Sequence, residues 1–79
     1  MRVSIIVPTL NEEAHIVETI RSLQRLSGEK EIIVVDGGST DQTVRLAGAQ
    51  NVRVVGAPQG RGPQMHVGAL ESRGDVLWF

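Results

Sequence analysis

The sequence predicts an α/β domain built on a parallel sheet. Four short apolar runs, at residues 3–7, 32–35, 52–55 and 76–79, alternate with three segments that favour helices. Strands that alternate with helices indicate a parallel sheet with right-handed crossovers. In a doubly wound sheet the first three strands grow in one direction and the fourth pairs on the other side of the first. The predicted strand order is therefore 3-2-1-4.

The first two apolar runs are typical of strands that are buried on both faces. Residues 3–7 are followed by Pro8, and residues 32–35 are followed by Asp36 and two glycines. Neither run alternates between apolar and polar side chains as a half-buried strand does. We therefore place both strands in the interior of the sheet.

The segment between these strands has the pattern of an amphipathic helix. We expect this helix over residues 12–26, with Asn11 as its N-cap and Gly28 just past its end. The predicted buried stripe contains Ile16, Ile20 and Leu23.

A second helix and a third strand follow. Ser39 and Gln42 have the spacing of a capping box, which predicts a helix over residues 40–49. The third strand is expected over residues 52–55. Arg53 within it suggests an edge strand with one solvated face.

Glycine and proline then mark a loop before the last helix and strand. Residues 56–63 contain three glycines and two prolines and predict that loop. A helix over residues 64–73 and a strand over residues 76–79 complete the βαβαβαβ order. Trp78 and Phe79 are expected to belong to the core rather than to a base-stacking surface.

Composition and charge exclude several classes of protein. The 79 residues form one domain at most, with 41% hydrophobic and 22% charged residues. A net charge of −1, scattered basic residues and two aromatic residues argue against nucleic-acid binding. The absence of cysteine excludes disulfides and thiolate metal sites. No apolar run approaches the roughly 20 residues of a membrane span or forms a secretory signal, so we expect a cytoplasmic protein.

The carboxyl ends of the strands are the expected ligand site. Residues 8–11 and 36–39 lie there, and neither a G-x-G-x-x-G nor a P-loop pattern occurs. Asp36, followed by two glycines, can accept a hydrogen bond from the imide N–H of a uracil ring, and Thr9 can contact the same base. Glu12 or Glu13 would repel a diphosphate unless a divalent cation lay between them. Such a cation needs a further carboxylate, and none follows the fourth strand.

Simpler interpretations compete with these roles. A turn and helix cap account for Ser39 and Asp41, but less well for Asp36. Glu12 and Glu13 also suit the first turn of a helix, where acidic side chains stabilise the helix dipole. The histidines, His15 and His66, suit solvated or structural positions. Arg61 suits a phosphate contact or a solvated loop equally well.

Three stretches together resemble the opening part of a family 2 glycosyltransferase: VSIIVPTLNEEAHIVETIRSL, EIIVVDGGSTDQTV and GRGPQMHVGALESRGDVLWF. The resemblance covers nearly all of the chain. It implies the GT-A fold, a Rossmann-like sheet that binds a nucleotide-diphospho-sugar, with a UDP-sugar as the expected donor and an unknown acceptor. The positions that match the family's nucleotide-binding motifs are Pro8, Thr9, Asn11, Glu12, Asp36, Gly37 and Arg61.

The resemblance also assigns roles and shows departures. It implies that Asp36 reads the base, that residues 8–12 line the nucleoside and that Arg61 approaches the phosphates. Many members have a second acid at the position of Gly37, and Ala-Arg-Asn where this chain has Gln64-Met65-His66. Members usually follow the fourth strand with an Asp-x-Asp motif that holds Mg²⁺ or Mn²⁺. We therefore expect residues 1–79 to be an incomplete nucleotide-binding domain that lacks metal ligands and catalytic residues and is inactive alone.

Two other classes of protein stay open. The second hypothesis is that the chain is a non-catalytic module that binds a nucleotide or a partner. A receiver-like or flavodoxin-like domain is disfavoured, because Gly56-Ala57-Pro58 follows the third strand where a receiver has its phospho-accepting Asp. The apolar fourth strand also predicts pairing with a second copy or with a further segment of a longer protein.

Overall fold

The computed structural model describes residues 2–79 and confirms the predicted fold class. Within these residues a four-stranded parallel sheet has the order β3-β2-β1-β4, as the sequence predicts. Three helices connect the strands. The elements are β1 (Val3–Thr9), α1 (Ile16–Gln24), β2 (Lys30–Asp36), α2 (Thr43–Gly48), β3 (Arg53–Gly56), α3 (Arg61–Glu71) and β4 (Asp75–Trp78).

The register of the sheet aligns the strand ends that follow the apolar runs. Thr9 at the end of β1 lies opposite Asp36 at the end of β2. Asp36 in turn lies opposite Gly56 at the end of β3. Because parallel strands share one direction, the loops after all three strands begin at the same edge, called here the carboxyl edge.

The core has one layer on each face of the sheet, because successive side chains of a strand point to opposite faces. Helices α1 and α2 cover one face, and α3 covers the other. The first layer consists of Ile5, Val7, Ile16, Ile20, Leu23, Ile32, Val34 and Ala47. The second layer consists of Ile6, Ile33 and Val35, with Val55, Ala57 and Val67 packed against them.

The first helix is shorter than predicted at both ends. Helix α1 begins at Ile16 rather than at residue 12 and ends at Gln24 rather than at residue 26. His15 is its N-cap, and Asn11 has a left-handed φ of 51° outside the helix. The N–H groups of His15 and Ile16 both bond to the carbonyl oxygen of Glu12, at 3.0 and 2.8 Å. Residues 12–15 therefore form a separate turn that leads into the helix.

The predicted capping box is wrong, and α2 begins at Thr43. Asp41 supplies the local acceptor, because its Oδ1 accepts a hydrogen bond of 2.9 Å from the N–H of Thr43. The hydroxyl of Ser39 bonds to Asp36 instead. Ser39 thus stabilises the loop before the helix rather than the helix itself.

The last helix begins earlier than predicted, at Arg61 rather than at residue 64. Gly60 has a φ of 133°, a conformation that suits glycine, and turns the chain into the helix. Pro63 lies in the first turn, where a helix does not need its missing N–H. The predicted loop at residues 56–63 therefore ends three residues too late.

The two edge strands differ in polarity. Arg53 of β3 is exposed and pairs with Glu31, at 3.9 Å, and with Glu71, which confirms the predicted edge position. In β4 the core prediction is wrong, because Trp78 is 42% exposed and Phe79 is 67% exposed. Within residues 2–79, β4 is an edge strand that pairs with β1 alone. Its association with a second copy or a further segment stays a prediction.

Gly68 allows α3 to approach the sheet closely. A Cβ atom added there would lie 2.4 Å from Cγ2 of Ile6 and 3.2 Å from Cγ2 of Val35. Both are branched side chains of the buried second core layer, so neither can move away freely. We expect Gly68→Ala to lower the free energy of unfolding by about 1 to 3 kcal/mol through overpacking.

Urea denaturation of Gly68→Ala and Gly62→Ala measures this effect. Gly62 is a matched control, because a Cβ added there in the same helix meets open space among residues 2–79. Equal stability of the two variants would contradict the close approach of α3.

Candidate functional site

The candidate site begins with backbone hydrogen bonds that join three strand ends. The N–H of Gly37 donates to the carbonyl oxygen of Thr9 at 2.9 Å. The N–H of Ala57 donates to the carbonyl oxygen of Asp36, also at 2.9 Å. These bonds continue the sheet past the ends of its strands, so the positions of the following loops are fixed relative to one another.

The carboxylate of Asp36 organises its own loop. Its Oδ2 accepts the N–H groups of Gly38 and Ser39, at 3.0 and 2.8 Å. Its Oδ1 accepts the hydroxyl of Ser39 and, at 3.4 Å, the hydroxyl of Thr9. A carboxylate has about four acceptor positions. The 6% exposed side chain of Asp36 therefore has its acceptor positions occupied within the chain.

Asn11 joins the loop after β1 to the loop after β2. Its N–H donates to the hydroxyl oxygen of Ser39 at 2.9 Å, and its Oδ1 accepts the N–H of Thr40 at 2.8 Å. The left-handed backbone of Asn11 directs both groups toward the second loop, and asparagine tolerates this conformation better than most residues. Asn11 thus acts as a connector and not as the predicted helix cap.

A second set of hydrogen bonds joins the same loops one turn further on. The N–H of Glu12 donates to the hydroxyl oxygen of Thr43 at 2.8 Å, and the N–H of Glu13 donates to Oδ2 of Asp41 at 3.3 Å. The hydroxyl and N–H of Thr43, together with the N–H of Glu13, hold the pKa of Asp41 below its usual value. Asp41 is half-buried. Its hydrogen bonds therefore stabilise the loop when the carboxyl group is ionised.

Two clefts lie on either side of Pro8 at the carboxyl edge. One, of about 180 Å³, is lined by Val7, Pro8, Thr9, Glu12, Ile16, Thr19 and Phe79. The other, of about 290 Å³, is lined by Pro8, Arg61, Met65, Trp78 and Phe79. Ligands of open α/β sheets bind in this position, at the carboxyl ends of the two strands where the strand order reverses, here β1 and β4. The first cleft offers a carboxylate to a ligand, and the second offers a guanidinium group.

A larger depression, of about 430 Å³, lies at the opposite edge of the sheet. Several charged side chains line it, among them Arg2, Lys30, Glu31, Arg53 and Arg73. Arg53 is already paired with Glu31 and Glu71. The hydroxyl of Ser4 and the N–H of Arg73 hold the pKa of Glu31 below its usual value. Four cationic side chains and the single carboxylate of Glu31 line the depression, so it carries a net positive charge. We place the candidate site at the carboxyl edge because ligands of open α/β sheets bind there.

The seven predicted nucleotide-binding residues lie at the carboxyl edge, but in two groups. Pro8, Thr9, Glu12 and Arg61 line the clefts. Asp36 and Gly37 are buried behind Thr9, and Asn11 is exposed between the loops. The structure thus brings the residues together, and their contacts with a nucleotide stay predictions.

Gln64 is a residue of this region that the sequence interpretation missed. Its side chain is 6% exposed. Its Nε2 donates to the carbonyl oxygens of Thr9 and Val35, both at 2.9 Å. Its Oε1 accepts the N–H of Gly60 at 3.1 Å. The only sequence signal was the departure at Gln64-Met65-His66, which does not by itself show what the amide contacts.

Residues 2–79 contain neither a cluster of metal ligands nor a helix that could span a membrane. Across this part of the chain, no group of three or more His, Cys, Asp or Glu side chains is placed to hold a metal ion. No helix formed by the same residues is long and apolar enough to cross a membrane.

Residues 4–79 match the sequence model of the Glycosyl transferase family 2. The match covers nearly the whole chain, and it agrees with the parallel sheet and with the clefts at its carboxyl edge. The chain therefore belongs to family 2 of the glycosyltransferases.

Individual relatives support this assignment. The chain is 40% identical over 78 residues to glucosyl-3-phosphoglycerate synthase of Mycobacterium tuberculosis. The alignment covers 96% of this chain and 23% of that enzyme. The chain is 45% identical over 49 residues, or 58% of its length, to poly(ribitol-phosphate) beta-N-acetylglucosaminyltransferase TarS of Staphylococcus aureus, of which it covers 9%. The chain thus spans about a quarter or less of the length of these relatives.

Solved structures of the same two enzymes share the fold. A crystal structure of the Mycobacterium tuberculosis synthase with Mn²⁺, UDP and glucosyl-3-phosphoglycerate superposes with a TM-score of 0.83 at 34% identity, over 99% of this chain and 32% of that one. Residues 1–349 of TarS superpose with a TM-score of 0.89 at 33% identity, over 100% of this chain and 27% of that one. The likeness confirms the predicted Rossmann-like GT-A sheet. The synthase has also been solved with Mg²⁺ and UDP.

We expect Asp41→Asn to lower the melting temperature at neutral pH and to leave it unchanged in acid. The pKa of Asp41 is lower in the folded state than its ordinary value of 3.8. Such a carboxyl group stabilises the folded state at pH values above its ordinary pKa. The contribution is complete above about pH 5 and is lost as pH falls through 3.8 and below. Melting temperatures of both proteins at pH 7 and pH 2.5 measure it.

Glu18→Gln, at an exposed position of α1, is the control for the loss of one surface charge. A pH-independent difference between Asp41→Asn and the unchanged chain would contradict the role of the ionised carboxylate.

Proposed function

We propose that this chain is the donor-binding part of a glycosyltransferase that takes a sugar from a UDP-sugar. The observation that carries the proposal is the alignment of nearly the whole chain with an enzyme that holds UDP in its crystal structure. The two clefts at the carboxyl edge, where sheets of this kind bind ligands, support it. The acceptor is left open, since the relatives differ in it by their names.

The two clefts suit different parts of the donor. A nucleoside is neutral and suits the cleft that Pro8, Thr9 and Thr19 line. A diphosphate is repelled by the carboxylate of Glu12 in that cleft and attracted by Arg61 in the other. Arg61 is also the first residue of α3, and the N-terminus of a helix favours anions. We therefore place the base and ribose beside Thr9 and the phosphates beside Arg61.

Base reading by Asp36 requires an exchange of hydrogen bonds. Its carboxylate is buried and accepts donors from its own loop. The longest of its contacts is the 3.4 Å bond from the hydroxyl of Thr9. In the proposed complex the imide N–H of uracil replaces this hydroxyl, and the hydroxyl of Thr9 turns toward the nucleoside. The loop bonds from Gly38 and Ser39 stay in place.

The divalent cation found with UDP in crystal structures of the Mycobacterium tuberculosis synthase does not fit this part of the chain. Residues 2–79 hold no group of three or more metal-binding side chains, and Glu12 is the one acid that lines either cleft. In the proposed enzyme the metal ligands and the base that activates the acceptor belong to other parts of the protein, and the 79 residues alone transfer no sugar. A cytoplasmic location is part of the same proposal.

An amide-resolved NMR titration with UDP, with and without Mg²⁺, tests the proposal. We expect chemical-shift changes at Thr9, Asn11, Asp36, Gly37 and Arg61, because these residues surround the clefts or hold their walls. Mg²⁺ is expected to add little. Changes at the opposite edge of the sheet, or none at millimolar UDP, would contradict the proposed function.

We expect Arg61→Ala to weaken UDP binding about tenfold or more, since a hydrogen bond to a charged group contributes about 1.5 to 3 kcal/mol. Binding of uridine, which lacks phosphates, should be unchanged. Calorimetric titrations with both ligands measure the two dissociation constants.

Arg21→Ala removes an exposed arginine from α1 and serves as the control for net charge. An equal loss of UDP affinity in Arg21→Ala and Arg61→Ala would contradict a phosphate contact by Arg61.

A further inference from the structure

The amide of Gln64 joins three separate parts of the carboxyl edge. Its two N–H groups reach the carbonyl oxygens of Thr9 in β1 and Val35 in β2. Its oxygen accepts the N–H of Gly60, just before Arg61. The N–H of Gln64 also donates to the carbonyl oxygen of Gly60 at 3.0 Å. Side chain and backbone of Gln64 therefore both hold the turn that begins α3.

The contact between Gly37 and Gln64 leaves no room for a side chain at position 37. A Cβ atom added at Gly37 would lie 2.8 Å from Cδ and from Oε1 of Gln64. The backbone of Gly37 thus packs directly on the amide. The N–H of Gly37 donates to the carbonyl oxygen of Thr9, which also accepts Nε2 of Gln64. One carbonyl group therefore links β1, the loop after β2 and α3.

The position of Gln64 has a consequence for the two clefts. Thr9 lines the cleft proposed for the nucleoside, and Arg61 lines the cleft proposed for the phosphates. Gln64 is bonded to the backbone of Thr9 and to the residue that precedes Arg61. Its amide is thus a short, buried connection between the walls of the two clefts.

We propose that Gln64 is a positioning residue that fixes the turn at Gly60 and Arg61 relative to the nucleoside cleft, so that one UDP molecule spans both. The proposal rests on the proposed function for its ligand. Gln64 itself touches no phosphate in this arrangement. It acts by limiting where the guanidinium group of Arg61 can lie.

The first arm of the test uses the free protein. Gln64→Met keeps the length of the side chain and removes its hydrogen bonds. We expect faster hydrogen exchange at the amide of Gly60 and chemical-shift changes at Gly37 and Arg61. His66→Ala, at an exposed position of the same helix, is the control and should leave these amides unchanged. Unchanged amides at Gly60 and Arg61 in Gln64→Met would overturn the proposal.

The second arm compares UDP with uridine. If Gln64 positions Arg61, Gln64→Met loses about tenfold in UDP affinity, as expected for a lost contact to a charged group, and little in uridine affinity. Adding Arg61→Ala to Gln64→Met should then cause little further loss. A merely structural role would reduce both affinities equally, and additive losses in the double variant would also overturn the proposal.

The third arm tests the packing against Gly37. Gly37→Ala should lower the free energy of unfolding of the chain that has Gln64. It should lower that of the Gln64→Ala variant less, because the added methyl group has room there. An equal cost in both backgrounds would show that the amide does not pack on Gly37. If the unchanged chain binds no UDP, the proposed function fails and the spanning role with it. The exchange and packing arms still decide whether Gln64 fixes the turn.

Discussion

Burial of the Asp36 carboxylate at the end of β2 is the constraint on which the carboxyl edge depends. A buried carboxylate is unfavourable unless hydrogen bonds replace its hydration. Here the loop supplies three of them, from the N–H groups of Gly38 and Ser39 and the hydroxyl of Ser39, and β1 supplies the hydroxyl of Thr9. Ser39 also accepts the N–H of Asn11, and Asn11 accepts the N–H of Thr40. The loop after β1 thus takes its position from the same carboxylate.

The carboxyl edge is held from both faces of the sheet. On the face covered by α1 and α2, hydrogen bonds between loops set the wall that Thr9 and Glu12 form. On the opposite face, the side-chain amide of Gln64 in α3 donates hydrogen bonds to the ends of β1 and β2 and packs against the backbone of Gly37. Gly68 lets that helix lie close to Ile6 and Val35. The result is a pair of clefts that share Pro8 and Phe79 in their linings, and the sheet itself fixes the position of Pro8.

The fold was predictable because its signals are local, whereas the site depends on contacts between distant residues. Apolar runs such as residues 32–35 and the alternation of strands with helices were sufficient for the order 3-2-1-4. The local pattern predicts that Asn11 and Ser39 cap helices. In the structure they bond to each other's loops, 28 residues apart along the chain. Gln64 and Thr9 are 55 residues apart, and no local pattern indicates that contact.

The exposure of β4 is also a feature that local sequence signals do not indicate. Trp78 and Phe79 are apolar residues of a kind typical of a core, but β4 lies at the edge of the sheet within residues 2–79 and pairs with β1 alone. Burial depends on which elements surround a strand, and composition does not reveal that. The same position brings Phe79 into the lining of both clefts.

Intermolecular nuclear Overhauser effects in a complex with UDP test the account most directly. If the nucleoside lies at the carboxyl edge, protons of the uracil and ribose rings contact side-chain protons of Pro8, Thr9 and Thr19. Contacts with Ile32, Val52 or Arg53, which line the depression at the opposite edge, would contradict the account.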